Sequence, residues 1–439
     1  MPRFTEDRRR AALNNEVHAR PFAALSAPER ISHLAVLYGE RGAEADRLHL
    51  AGLCDSRGVA PPPQDATHFA AEFGAFRLKW ERHSEFATYT FLRAGPLSGP
   101  LSGPLGDDPF ADPAIARVPQ DWLQAMPGAV LVAVHLALLP VDRSADKSAD
   151  DATLVARALA PDTTAGSLIA SGGAMAWTDF RLHEDGFGRI LVRDVRLTPA
   201  QAGRMLQRLL EIETYRMMAL LALPAAREYA PAIDRIGEQL ASLTSDLARV
   251  RGLDDERKLL DLLVQLSAEA ERIAAATTYR FGAGRAYYAL VRRRIEELRE
   301  QRVEGLQSVG EFMDRRLAPA MRTCESVGER LEGIAERLAR VGALLRARVD
   351  VALEAQNRDL LASMDRRARL QLRLQQTVEG LSVAAITYYV VGLVAYLAKA
   401  AKSAGLPVDP DLAAGLAILP VAASVWLAVR RLRRRLKGE

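Results

Sequence analysis

The chain has 439 residues, enough for about two or three domains with a full core. Its net charge is +4 and its pI about 9.1, but much of the basic excess flanks two apolar stretches near the C-terminal end, which argues against a nucleic-acid footprint. Cys54 and Cys324 are far apart and lack metal or redox spacing, which fits a reducing compartment and no disulfide framework.

The first stretch, MPRFTEDRRRAAL, lacks the apolar core of a cleavable signal peptide. Residues 1–197 read as an α/β domain. Stretches 31–37, 73–80, 86–92, 129–139, 174–180 and 189–195 are rich in β-branched and aromatic residues and predict strands. In one of them Phe76, Leu78 and Trp80 share a face while Arg77, Lys79 and Glu81 take the other. His183-Glu184-Asp185-Gly186-Phe187-Gly188 predicts a hairpin-type turn. Helices are expected at about 43–57 and 152–159. Residues 95–113, with a repeated PLSG, and 142–151, short and polar, read as mobile loops.

From Thr198 onward the pattern is helical, and 198–380 is expected to form a helical stalk domain. Thr198-Pro199 is a strong start, a capping threonine followed by proline at the first helical position. That helix is expected to reach Leu223 and break at Pro224. Gly282 and Gly284 predict an interruption before a helix over 287–313, and Pro319 predicts a stop. Val327, Leu331, Ile334, Leu338, Val341 and Leu345 then form a heptad series. It fits packing against the earlier helices or self-association around a stalk. One helix is expected from about 323 to 398, on the order of 110 Å long.

Residues 381–398 and 412–429 carry no charge and are each eighteen residues long, roughly 27 Å as helix against a bilayer core of about 30 Å. They predict a transmembrane hairpin over 381–429. Arg366, Arg367, Arg369 and Arg373 precede it, and Arg430, Arg431, Arg433, Arg434, Arg435 and Lys437 follow it in a basic tail, 430–439. The loop between the spans holds Lys399, Lys402, Asp409 and Asp411. This asymmetry places both termini in the cytoplasm.

Ser382, Tyr389 and Tyr396 recur every seven residues along the first span, with Glu379 and Gly392 on the same side. The plain reading is interhelical packing; the functional one is a polar lining shared between subunits. Asp409 and Asp411 are the acids of the loop outside. In the soluble part the candidates are Glu16, His18 and Arg20, and Trp80, Arg82 and His83. Glu81, His83 and Glu85 share strand spacing, but no HExxH or paired CxxC supports a metal site, and a salt-bridged strand face is the plainer account. No GxSxG, Walker or GxGxxG motif stands in a strand-to-helix context, so neither an enzyme nor a cofactor is expected.

The strings NEVHARP (15–21), KWERHSEF (79–86), ETYRMMALLALP (213–224), YRFGAGRAYY (279–288) and TVEGLSVAAITYYVVGL (377–393) resemble a bacterial family of membrane-anchored proteins of unknown function. The resemblance covers nearly the whole chain and implies a bacterial inner-membrane setting; the PLSG insert looks peculiar to this sequence. The arrangement of domain, stalk and two spans is also similar to CorA-type magnesium channels, pentamers whose first span lines the pore. Where those channels carry Gly-Met-Asn, this chain has Lys399-Ala400-Ala401-Lys402.

The expectation is thus an α+β membrane protein. Its partners are lipid, further copies of itself and cations, with no nucleic acid. The leading function is cation passage along Glu379, Ser382, Tyr389, Gly392 and Tyr396. The alternative is a non-conducting anchored scaffold or sensor whose cytoplasmic domain binds a ligand or partner.

Overall fold

The computed structural model describes residues 7–10, 13–14, 22–39, 42–95, 108–141, 147–250, 252–407 and 409–436. The chain divides into two compact units, one formed by Met1–Ser245 with Leu262–Arg340 and the other by Asp246–Asp261 with Val341–Glu439.

The first unit is built on a sheet of β1 (Glu29–Leu37), β2 (His68–Glu72), β3 (Arg77–Arg82), β4 (Phe86–Ala94), β5 (Ala129–Pro140), β6 (Ala165–Ile169), β7 (Ala174–Thr178), β8 (Gly188–Asp194) and the short β9 (Gln301–Arg302). Its order is β2-β3-β4-β1-β5-β8-β7-β6-β9, antiparallel except where β5 runs parallel to β8. Helices α1 (Gly42–Ser56) and α2 (Gln120–Gln124) belong to one face, where Leu50, Leu53 and Cys54 of α1 pack with Leu78, Trp80, Tyr89 and Phe91. Helix α3 (Lys147–Ala158) precedes Leu159, which packs with Phe110, Leu139 and Leu191. The other face is covered by α4 (Pro199–Leu220), whose Leu206, Leu209 and Leu210 share a core with Ile31, Leu136 and Ile169. With both faces covered, β4 shows no apolar/charged alternation: Phe86 to Leu92 are aromatic, aliphatic or small and uncharged.

The predicted strands at 31–37, 86–92, 129–139, 174–180 and 189–195 are present, and so is the turn at 183–188, where His183 N–H donates to Phe187 O at 2.9 Å. The predicted strand at 73–80 straddles a turn instead. Gly74 adopts φ +75°, Phe73 N–H donates to Phe76 O at 2.8 Å, and the chain reverses between β2 and β3. The expected loops depart from that reading where they are described: Phe110 is buried, Arg93 pairs with Asp112 at 2.6 Å, and residues 147–151 form the start of α3 rather than a loop. Residues 96–107 and 142–146 of those loops lie outside the described residues.

Helix α4 starts as expected, with Thr198 and Gln201 forming a reciprocal capping box and Pro199 at the first position. It ends at Leu221, earlier than predicted, and Pro224 does not break it. Pro224 sits in the first turn of α5 (Ala222–Leu247), where an amide has no helical partner to lose. Helix α6 (Leu253–Leu298) runs through Gly282 and Gly284 without interruption. A Cβ at Gly284 would stand 2.9 Å from Ala222 Cβ, so this glycine permits close helix packing that offsets its propensity cost of about 1 kcal/mol. The helix predicted over 287–313 is broken at 299–308, where Arg299 has φ +51° and Gly305 φ +80°. The next helix, α7 (Val309–Ser403), starts with a second reciprocal cap: Glu311 N–H donates to Ser308 Oγ and Ser308 N–H to Glu311 Oε2, both at 3.1 Å. Pro319 lies inside α7 rather than ending it.

Residues 309–340 of α7 belong to the first unit, where the early heptad positions are covered by the protein's own helices. Ile334 Cδ1 lies 3.4 Å from where a Cβ on Gly237 of α5 would stand, and Gly328 faces Phe281 of α6. In the second unit Leu345 is fully buried, and Arg348 pairs with Glu256 at 3.1 Å. Beyond Val351 most large apolar side chains of α7 are exposed, as are most of those described in α8 (Pro410–Leu436), with Leu419 at 80%, while valines such as Val390 and Val425 are half-buried. Both α7 and α8 are long and apolar enough to cross a membrane. Leaving Leu381, Ile386, Leu393, Leu397, Leu412, Leu416, Ile418 and Leu419 in water forfeits on the order of 10 kcal/mol of transfer free energy.

The covered heptad seam carries a direct test. Leu338→Asp places an unpaired charge at a buried position and should cost about 3 kcal/mol or more, whereas Leu344→Asp, on the exposed side, should cost little. Chemical unfolding of both variants checks this, and equal stability of the two would show the seam to be uncovered.

Candidate functional site

Between the sheet and α4 the first unit forms a partly open cavity of about 260 Å³. Its floor follows from strand register. Lys79 lies opposite Thr90, which lies opposite His33; one row along, Glu81 lies opposite Thr88, which lies opposite Ala35. Its roof is one face of α4, with Leu206, Gln207, Leu210, Glu211, Thr214 and Tyr215. Arg294 of α6 adds a charge, and Ala23, Leu25, Ile31, His83, Leu92 and Gly203 also line the space.

His33 organises the floor. It is 5% exposed, with Nδ1 2.8 Å from Thr90 Oγ1 and Nε2 3.0 Å from Thr214 Oγ1. Thr214 donates its own proton to Leu210 O at 3.0 Å, so toward His33 it accepts. Nε2 therefore carries the ring proton, Nδ1 is bare, and the Thr90 hydroxyl donates to Nδ1. Burial pushes the ring pKa from 6.5 down to about 3, with the charges of Lys79 and His83 adding to that effect. His33 is neutral and is a hydrogen-bonding element rather than a proton carrier near pH 7.

Charged groups form a chain across the cavity. Lys79 Nζ lies 3.1 Å from Glu81 Oε1 and donates to Gln207 Oε1 at 3.2 Å. Gln207 Nε2 donates to Glu211 Oε1 at 2.8 Å, Glu211 pairs with Arg294, and Arg294 Nη1 donates to Glu297 Oε2 at 2.9 Å. Thr88 stands apart: it is 4% exposed, lines the cavity, and its hydroxyl has no partner among the described residues.

The candidates from sequence separate on this frame. Glu81 and His83 are brought together, beside Lys79, which was not among those candidates; Trp80 points to the opposite face, where its Nε1 donates to Asp46 Oδ2 at 2.8 Å in the core. Arg82 ends β3 and its amide donates to Thr67 O at 2.8 Å. Glu85 is held by Arg280 and by Tyr287, whose hydroxyl donates at 3.0 Å. Glu16, His18 and Arg20 lie outside the described residues. In the second unit Ser382 donates to Val378 O at 2.8 Å, while Tyr389, 72% exposed, and Tyr396 lie on the helix surface; Glu379 and Gly392 are half-buried. Asp409 caps α8, its Oδ1 accepting the Asp411 amide at 3.0 Å, and Asp411 sits in the first turn.

Sequence reading missed His33, Lys79, Thr88, Thr90, Gln207, Glu211, Thr214 and Arg294. The available signal was Gln207, Glu211 and Thr214 at helical spacing on a face that otherwise enters the core. A second buried histidine, His135, has Nδ1 3.0 Å from Ser32 Oγ and Nε2 3.8 Å from Asp185, an arrangement with the residue types of a hydrolytic triad. Ser32 is 0% exposed and its Oγ accepts the Ile115 amide at 3.1 Å, so the three act as a packing network. Among the described residues no three His, Cys, Asp or Glu side chains gather as a metal site.

These features define a mixed α+β protein with a partly open polar cavity beneath one helix of its sheet domain and two helices with apolar stretches toward its C-terminal end. The chain belongs to the family described as protein of unknown function DUF3422, whose profile matches residues 5–436. No curated protein and no solved structure matches it.

Two measurements test this geometry. Because the folded pKa of His33 lies below 6.5, its contribution to stability is fully present above about pH 6.5 and is lost as pH falls toward 3; His135, pushed down to about 4, acts in the same sense. Nitrogen-15 spectra should show His33 neutral with the proton on Nε2 at about pH 5, and a charged ring there would overturn the assignment. Thr88→Val should leave stability unchanged or raise it by about 1 kcal/mol, since it removes an unpaired buried hydroxyl at constant shape.

Proposed function

We propose that this protein is a membrane-anchored sensor or scaffold whose soluble domain binds a small polar ligand. The observation that carries this reading is the cavity above His33, with a buried unpartnered hydroxyl at Thr88 and paired charges on both walls. Concave clefts with a few convergent polar groups are the usual ligand sites of globular domains. Membrane attachment in this reading comes from the apolar parts of α7 and α8, and the arginine asymmetry supports two spans with both termini in the cytoplasm of a bacterial inner membrane.

A second reading keeps the CorA-like channel. It is favoured by Tyr389 and Tyr396 on the surface of the first span, where neighbouring subunits of a homo-oligomer would bury them around an axis, with Glu379 as an acidic ring for cations. Lys399 and Lys402 at the outer end oppose cations, and the Ser382 proton is already taken by Val378 O, so this reading ranks second.

Reporters fused after residue 439 and inserted at Ser403 should report opposite sides of the membrane, and a shared side would overturn the two-span arrangement. Full-length protein in detergent should be stabilised against heat by some fraction of small molecules from a bacterial extract, and Lys79→Met should lose that response. No response to any fraction, together with cation flux in liposomes that Glu379→Gln reduces, would put the channel first.

A further inference from the structure

We infer that the cavity beneath α4 binds a small zwitterionic amino acid with an aliphatic side chain, a deepening that rests on the ligand-binding reading above. The volume sets the size. About 260 Å³ corresponds to roughly nine water volumes, which suits a molecule of about that many non-hydrogen atoms.

Charge sets the class. Two ion pairs reach the cavity, Lys79 with Glu81 on the sheet side and Arg294 with Glu211 on the helix side, joined through Gln207. The four charges that line the cavity sum to zero, and Glu297, which bonds Arg294 from outside the lining, is itself met by Arg208 at 3.0 Å. A ligand with net charge would leave one of them uncompensated in a shielded space, which is costly. An uncharged ligand would have no ionic bonds to offer in exchange for breaking the pairs. A zwitterion can replace each internal partner with one of its own groups, a carboxylate for Lys79 and Arg294 and an ammonium for Glu81 and Glu211.

The hydroxyls match that division. Thr90 has given its proton to His33, so it presents only lone pairs, as an ammonium requires. The Thr88 hydroxyl is buried and without a partner among the described residues, and a rotation of its side chain toward the cavity would let it donate to a carboxylate. Ile31, Leu92, Leu206 and Leu210 supply the apolar wall for an aliphatic side chain.

The test uses full-length protein in detergent, with heat unfolding and calorimetric titration. The probes are leucine and valine, N-acetyl-leucine without the ammonium, leucinamide without the carboxylate, succinate, and sorbitol. Leucine or valine should bind, with each blocked derivative at least tenfold weaker. Lys79→Met and Thr88→Val should each weaken binding at least tenfold; the second keeps the test valid if the first fails to fold. Equal binding of leucine and its blocked derivatives, or amino-acid binding untouched by Thr88→Val in a folded protein, would overturn the inference. Binding of succinate or sorbitol in place of amino acids, lost in Thr88→Val, would reject the zwitterion while leaving a ligand site. Binding by none of the probes would reject the inference, and the extract experiment then decides separately whether a ligand site exists.

Discussion

Strand β1 is buried on both faces, and that constraint governs the chemistry of the sheet domain. A polar side chain on such a strand must be satisfied inside the protein, because an unpaired buried donor or acceptor costs about 1–3 kcal/mol. Glu29 is met by Arg77 at 2.6 Å, Ser32 by the Ile115 amide and His135, and His33 by Thr90 and Thr214. The partners of His33 come from a neighbouring strand and from the helix above it. The imidazole is thereby a cross-brace between sheet and helix as well as the floor of the cavity.

Helix α4 completes the site because its position is set at its start. Thr198, Pro199 and Gln201 fix where it begins, and Leu25 N–H donates to Pro199 O at 3.0 Å. A Cβ at Gly203 would lie 1.8 Å from Ala23 O, so only glycine lets the helix approach this segment so closely. With start and first turn held, residues 207, 211 and 214 fall on one face by helical spacing, above Lys79 and His33.

Local patterns with one dominant signal were legible in the sequence. Strand alternation around Leu78 and Trp80, the Thr198 cap and the charge-free apolar helical stretches all depend on neighbours a few residues away. Glycine and proline misled where packing outweighed propensity, as at Gly284 and Pro319, and the Ser308–Glu311 cap shows that the true break lay elsewhere. The cavity was half visible. Glu81 and His83 stood out as a charged edge, but Thr88, Glu211 and Arg294 lie far apart in sequence and acquire meaning only when strand register and helix docking bring them together. Buried threonines carry no pattern distinct from ordinary strand formers.

The placement of the ion pairs divides the protein's electrostatics into two populations. Lys79 and Glu81 are each about nine-tenths shielded, and Arg294 and Glu211 mostly so. On the outside of α7, Arg340–Glu336, Arg358–Glu354 and Arg369–Asp365 stand in open solvent. Dissolved ions screen exposed charges over a Debye length of about 8 Å at physiological ionic strength but reach shielded pairs far less. A change in cellular salt or osmolarity therefore alters the surface of the long helix while the charge pattern within the cavity keeps its strength.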